Sequence, residues 1–81
     1  MKANQLVWRC RRGMRELDLL LMGYLNRDYP NAPAPERQRF EQLLEESDDT
    51  LWRYCTDVLK PRDPALADLI EQIRHPAPPH S

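Results

Sequence analysis

Apolar residues recur at helical spacing along nearly the whole chain, and no segment sustains the alternation that a half-buried strand requires. That feature confines 81 residues to one architecture: short helices burying their stripes against one another. Leu6, Val7 and Cys10 share one face of a first helix for which Asn4 is a suitable N-cap. Gly13 is placed to end it, because glycine enters the left-handed region without a Cβ clash. A second helix is expected from about Met14 to Tyr29, with Leu17, Leu20, Leu21, Tyr24 and Leu25 as its core stripe. Leu19 and Met22 fall on other faces, so this helix reads as the central one, touched from more than one side.

Proline supplies the punctuation. Pro30, Pro33 and Pro35 make residues 29–35 a connector, and Pro35 suits the first turn of a third helix with Phe40, Leu43 and Leu44 inward. Ser47 or Asp48 can cap a fourth helix whose face is Leu51, Trp52, Cys55, Val58 and Leu59. Lys60-Pro61-Arg62 breaks it, and Asp63-Pro64 opens a fifth helix carrying Leu66, Leu69, Ile70 and Ile73. The expectation is an all-α, compact bundle of five short helices in one domain over residues 1–75, with 76–81 a disordered Pro-rich tail.

A domain this small is near the size where one core only just suffices. Its two cysteines, Cys10 and Cys55, lie 45 positions apart on apolar faces and read as small buried hydrophobes, not as a disulfide framework. With no membrane-length apolar run and no signal-like start, the expected location is the cytoplasm, and the expected state when free is a monomer without membrane insertion. Catalysis finds little support: there is no phosphate-binding glycine loop, no metal-ligand spacing and no nucleophile elbow. His75 and His80 flank the proline-rich end, where nothing would orient a base. A protein that is not an enzyme, and that holds no metal, is expected.

Charge is more informative than composition. Net charge is −1, yet Lys2, Arg9, Arg11, Arg12 and Arg15 stand in the first fifteen residues without one acid, leaving the remainder a net −6. Such an acidic body with a basic corner is suited to steering a charged partner. Nucleic-acid binding is disfavoured, because Glu16 and Asp18 follow directly, the third and fourth helices are acid-rich, and the pI is near 6.1. Gly13 and Glu16 could serve only a helix corner, glycine as terminator and glutamate at the positive end of the helix dipole. Four arginines crowded at repulsive distances are better explained by a partner surface or an anionic ligand.

The stretch Cys10-Arg11-Arg12-Gly13-Met14-Arg15-Glu16-Leu17-Asp18 resembles the bacterial FAD assembly factor, or flavinylation factor, family of succinate dehydrogenase. Arg12, Gly13 and Glu16 match its Arg-Gly-x-x-Glu signature within "RRGMREL", and "FEQLLEESDDTLWRY" and "KPRDPALADLIEQIR" are similar to the family pattern, so the resemblance covers about residues 5–74. It implies a five-helix fold and an assembly chaperone that binds the flavoprotein subunit of succinate dehydrogenase, of fumarate reductase, or both. It further implies that this chaperone promotes covalent attachment of FAD to a histidine of that subunit, with FAD held by the partner and not by this chain. The implied partner-binding face centres on Arg12, Gly13 and Glu16, with Arg9, Arg11 and Arg15 steering. Tyr24 stands between this role and the core, and Asp28 between it and an ordinary surface acid. An antitoxin-like module binding another partner, such as a membrane toxin, is the alternative.

Overall fold

In a computed structural model of the protein, residues 3–75 are described. These described residues fold as five α-helices: α1 Ala3–Cys10, α2 Arg15–Arg27, α3 Ala34–Leu43, α4 Asp48–Cys55 and α5 Pro64–Arg74, with a 3-10 turn at Tyr29–Asn31. No strand occurs among the described residues. The expected tail at 76–81 lies outside them.

Caps explain most boundaries. Ser47 accepts the Thr50 N–H at the start of α4, and Asp63 accepts the Ala65 N–H with Pro64 following in the first turn of α5. Pro35 stands in the first turn of α3. The first helix already includes Ala3, one residue ahead of the cap position expected at Asn4. The second helix stops at Arg27, two residues short of the expected end: Asp28 is its C-cap, and Tyr29-Pro30-Asn31 tightens into the 3-10 turn.

The fourth helix also ends early. Asp57 adopts φ +64°, while Val58 N–H bonds Arg53 O and Asp57 N–H bonds Tyr54 O. This is a Schellman closure with aspartate where glycine is usual. Val58 and Leu59 therefore leave the helical face assigned to them and stand 71% and 42% exposed.

Helix α2 is central, packing against α1, α4, α5 and the 3-10 turn. It contributes Leu17, Leu21, Tyr24 and Leu25 to a core completed by Leu6, Cys10, Phe40, Leu43, Leu44, Leu51, Cys55, Leu69, Ile70 and Ile73. The aromatic part of that core fastens α3. Phe40 lies 4.6 Å from the Tyr24 ring and 5.8 Å from the Tyr29 ring, centre to centre. The Tyr24 hydroxyl donates to Glu36 and the Tyr29 hydroxyl to Glu41, so each ring hides its body and satisfies its polar tip. Tyr24 is thus a core residue, and the Asp28 carboxylate pairs at the surface with Arg27 at 2.8 Å. The radius of gyration is 11.8 Å.

Candidate functional site at the corner between the first two helices

The chain must reverse between Cys10 and Arg15, and Gly13 makes that possible with φ +84°. It does so three residues beyond Cys10, the last residue of α1, in the middle of the corner and not at the helix end itself. Its place does not arise from crowding, since a Cβ built on Gly13 meets no atom within 4 Å. Asp18, one turn into α2, reaches back to hold the corner. Its two carboxylate oxygens accept the Arg12 N–H at 2.8 Å and the Gly13 N–H at 3.2 Å.

The four arginines divide into two pairs. The Arg12 guanidinium turns inward across the molecule, donating through Nη2 to the carbonyls of Leu44 and Glu46, the latter at 2.9 Å. Its Nε faces the Asp48 carboxylate at 3.5 Å, an ion pair without a direct hydrogen bond. Leu44 is the C-cap of α3, so Arg12 caps that helix from outside while fastening the corner, through Leu44 and Glu46, to the α3–α4 turn. Arg9 likewise donates to the Glu41 carbonyl at 3.0 Å. Arg11 and Arg15, by contrast, are exposed, and the Arg11 guanidinium lies 5.8 Å from the centre of the Trp8 ring, within cation–π range.

Between the exposed arginines runs an open groove of about 580 Å³, lined by Val7, Arg11, Gly13, Arg15, Asp18, Leu19 and Met22. Its apolar floor continues onto bare surface, for Trp8 is 70% and Leu19 65% exposed. Glu16 is exposed beside Arg15 and makes no hydrogen bond or ion pair among the described residues. The arrangement offers two cations, an unpaired carboxylate, an uncovered glycine and an apolar strip. That combination suits an acidic protein surface with an apolar projection better than a small ligand.

Of the six residues expected here, Gly13, Arg11, Arg15 and Glu16 share this open surface, whereas Arg9 and Arg12 stand behind it, anchored to the protein. Sequence reasoning had not assigned Trp8, Val7 and Asp18 to the site. For Trp8 a signal existed, a large apolar residue off the Leu6–Cys10 stripe of α1, as Leu19 is off that of α2. For Asp18 there was none, because its acceptor role depends on the path of the corner.

Among the described residues no three His, Cys, Asp or Glu side chains gather as metal ligands. Burial pushes the nearby Cys10 thiol up to about 11, Arg12 and Arg9 pulling back only partly, and burial does the same to Cys55. Both are buried free thiols, protonated at neutral pH. A second cleft of about 360 Å³, between α3 and α5, contains none of the arginine–glycine motif. No helix among the described residues is long and apolar enough to cross a membrane.

Residues 4–77 match the family described as Flavinator of succinate dehydrogenase. The chain is similar to FAD assembly factor SdhE of Methylococcus capsulatus, 49% identical over 71 residues, which covers 88% of this chain and 86% of that protein. It is also similar to FAD assembly factor SdhE of Xylella fastidiosa (44% identical, 88% and 73% covered) and of Pectobacterium atrosepticum (32% identical, 88% and 81% covered). No solved structure matches the chain.

Proposed function

Because the chain belongs to the succinate dehydrogenase flavinator family of FAD assembly factors, we propose that it docks on the flavoprotein subunit of succinate dehydrogenase through the α1–α2 corner and promotes covalent attachment of FAD there. One observation supports this reading above the others. The family's Arg-Gly-x-x-Glu motif lies at an uncovered glycine, with Arg11, Arg15 and Glu16 exposed beside an apolar groove.

A flavin–histidine bond requires the histidine nitrogen close to the flavin 8α carbon, and negative charge develops on the ring system as it forms. The bond-forming groups belong to flavin and flavoprotein; this chain contributes arrangement. Gly13 lets a partner backbone approach without a side chain between them. Arg11 and Arg15 can take partner carboxylates bidentately, and Glu16 can answer a basic group across the interface. Arg9 and Arg12, tied to carbonyls of this protein, keep the surface in shape. Holding the flavoprotein's domains in a reactive arrangement is a proximity effect, and a cationic face near the site adds to its electrostatics. We extend the proposal to the fumarate reductase flavoprotein, a second target that the sequence resemblance implies. Nucleic-acid binding is weakened as an alternative, since only two of the four arginines point to solvent.

In-gel flavin fluorescence of denatured flavoprotein, incubated with FAD with and without this protein, tests the reading. Covalent labelling is expected to accelerate with the native chain and not with folded Gly13→Arg or Glu16→Ala variants. Labelling at one rate throughout would overturn it.

A further inference from the structure

Gly13 carries a requirement that its own side chain cannot meet. Glycine visits many conformations at low cost, and here no atom lies within 4 Å of the Cβ position to restrict it. A docking corner built on such a residue stays defined only if its backbone is held by hydrogen bonds. The bonds that do so converge on one side chain: both Asp18 oxygens, on the consecutive N–H groups of Arg12 and Gly13. Two successive N–H groups at a left-handed residue form a small anion-binding concavity, and Asp18 fills it from within the chain. Asp18 is itself placed by its own N–H bond to Met14 O, 2.8 Å long, in the first turn of α2. On the far side Arg12 is fixed to Leu44 and Glu46. The Arg12-Gly13 peptide is therefore held from both ends.

We propose that Asp18 is a positioning residue for docking: it holds Gly13 in its left-handed conformation and so presents the Gly13–Glu16 edge to the partner already formed. This inference rests on the docking role proposed above. It predicts that Asp18 acts before any encounter, by lowering the ordering cost of association, rather than by touching the partner. Alanine at this position leaves both N–H groups without their acceptor. Asparagine keeps one accepting oxygen and can serve only one of them, so it falls between alanine and the native residue.

The test uses the full chain in two arms. In the free protein, amide hydrogen exchange is read at Arg12 and Gly13 for wild type, Asp18→Asn and Asp18→Ala. In the second arm, affinity for the flavoprotein subunit is measured for the same three proteins and for Ile73→Val, a core variant that reports on a general loss of stability. The expected result is exchange at Arg12 and Gly13 faster by about tenfold or more in Asp18→Ala, and affinity weaker by about tenfold, with Asp18→Asn intermediate in both and Ile73→Val close to wild type in affinity. Weaker affinity with unchanged exchange would mean that Asp18 touches the partner directly, and overturns the positioning role. An equal loss in Ile73→Val also overturns it, since global stability then accounts for the effect. Wild-type protein that does not bind the flavoprotein at all refutes the docking reading instead, and the exchange arm still decides whether Asp18 holds the corner.

Discussion

Gly13 is where residue chemistry and function meet. Its φ of +84° lies where an L side chain is strained, while the space around it is open. Gly13→Ala is therefore expected to cost about 1 kcal/mol through backbone strain without a steric clash, measurable by urea unfolding. The need for glycine was legible in the sequence, because a corner between two apolar stripes calls for one. The inward turn of Arg12 was not: its acceptors are carbonyls 32 and 34 residues away, and no local pattern announces a long-range contact to backbone. The cysteines were readable from their place on apolar faces. With thiol pKa values raised to about 11 by burial, Cys10 and Cys55 are expected to resist a thiol reagent at pH 8 and to react promptly once guanidinium unfolds the chain. Rapid reaction of the folded protein would contradict that burial.

At the scale of elements, starts were more legible than stops. A cap such as Ser47 or Asp63 acts within three residues, so sequence alone discloses it. Ser47→Ala is expected to lower stability by about 1 kcal/mol, read from the urea midpoint at constant slope. The end of α4 depended on a left-handed aspartate that no breaker residue marked, and an apolar spacing running on through Val58 and Leu59 suggested a longer helix. Asp57→Gly should relieve that strain. Its ion pairs with Arg74 and Lys60 are 3.8 and 3.9 Å long and half exposed, so their loss offsets the gain only partly. A net stabilisation of about 0.5 kcal/mol is expected, growing as salt screens those pairs in the native protein. Loss of stability at high salt would argue against strain at Asp57. The Tyr24–Glu36 and Tyr29–Glu41 pairs were beyond sequence reasoning, because they depend on how the 3-10 turn swings α3 back across α2.

The whole molecule was legible as an all-α bundle because its period, caps and prolines agree, and the site was legible as a basic corner because charge is unevenly distributed. What remained hidden was which arginines the protein keeps for itself. The exposed pair should steer association: the on-rate for an acidic partner is expected to fall several-fold as salt rises to about 0.5 M, with the off-rate changing less. Alkaline stability follows from the buried thiols. Burial raises their folded pKa values to about 11, above the ordinary thiol range, so between about pH 9 and 11 the unfolded chain ionises while the folded one does not, and stability falls with rising pH, on the order of 2 kcal/mol per thiol. Below pH 9 these groups contribute no slope; a pH series of urea midpoints checks both statements. The Arg12 clamp has a consequence for how the sequence can change length. Connections between surface helices ordinarily accept an extra residue at little cost. The short link after α3 is different, because its carbonyls serve as receptors for a side chain that stands more than 30 residues earlier in the sequence. Inserting one residue between Leu44 and Ser47 would move those receptors out of register, so this small turn should tolerate substitution far better than lengthening.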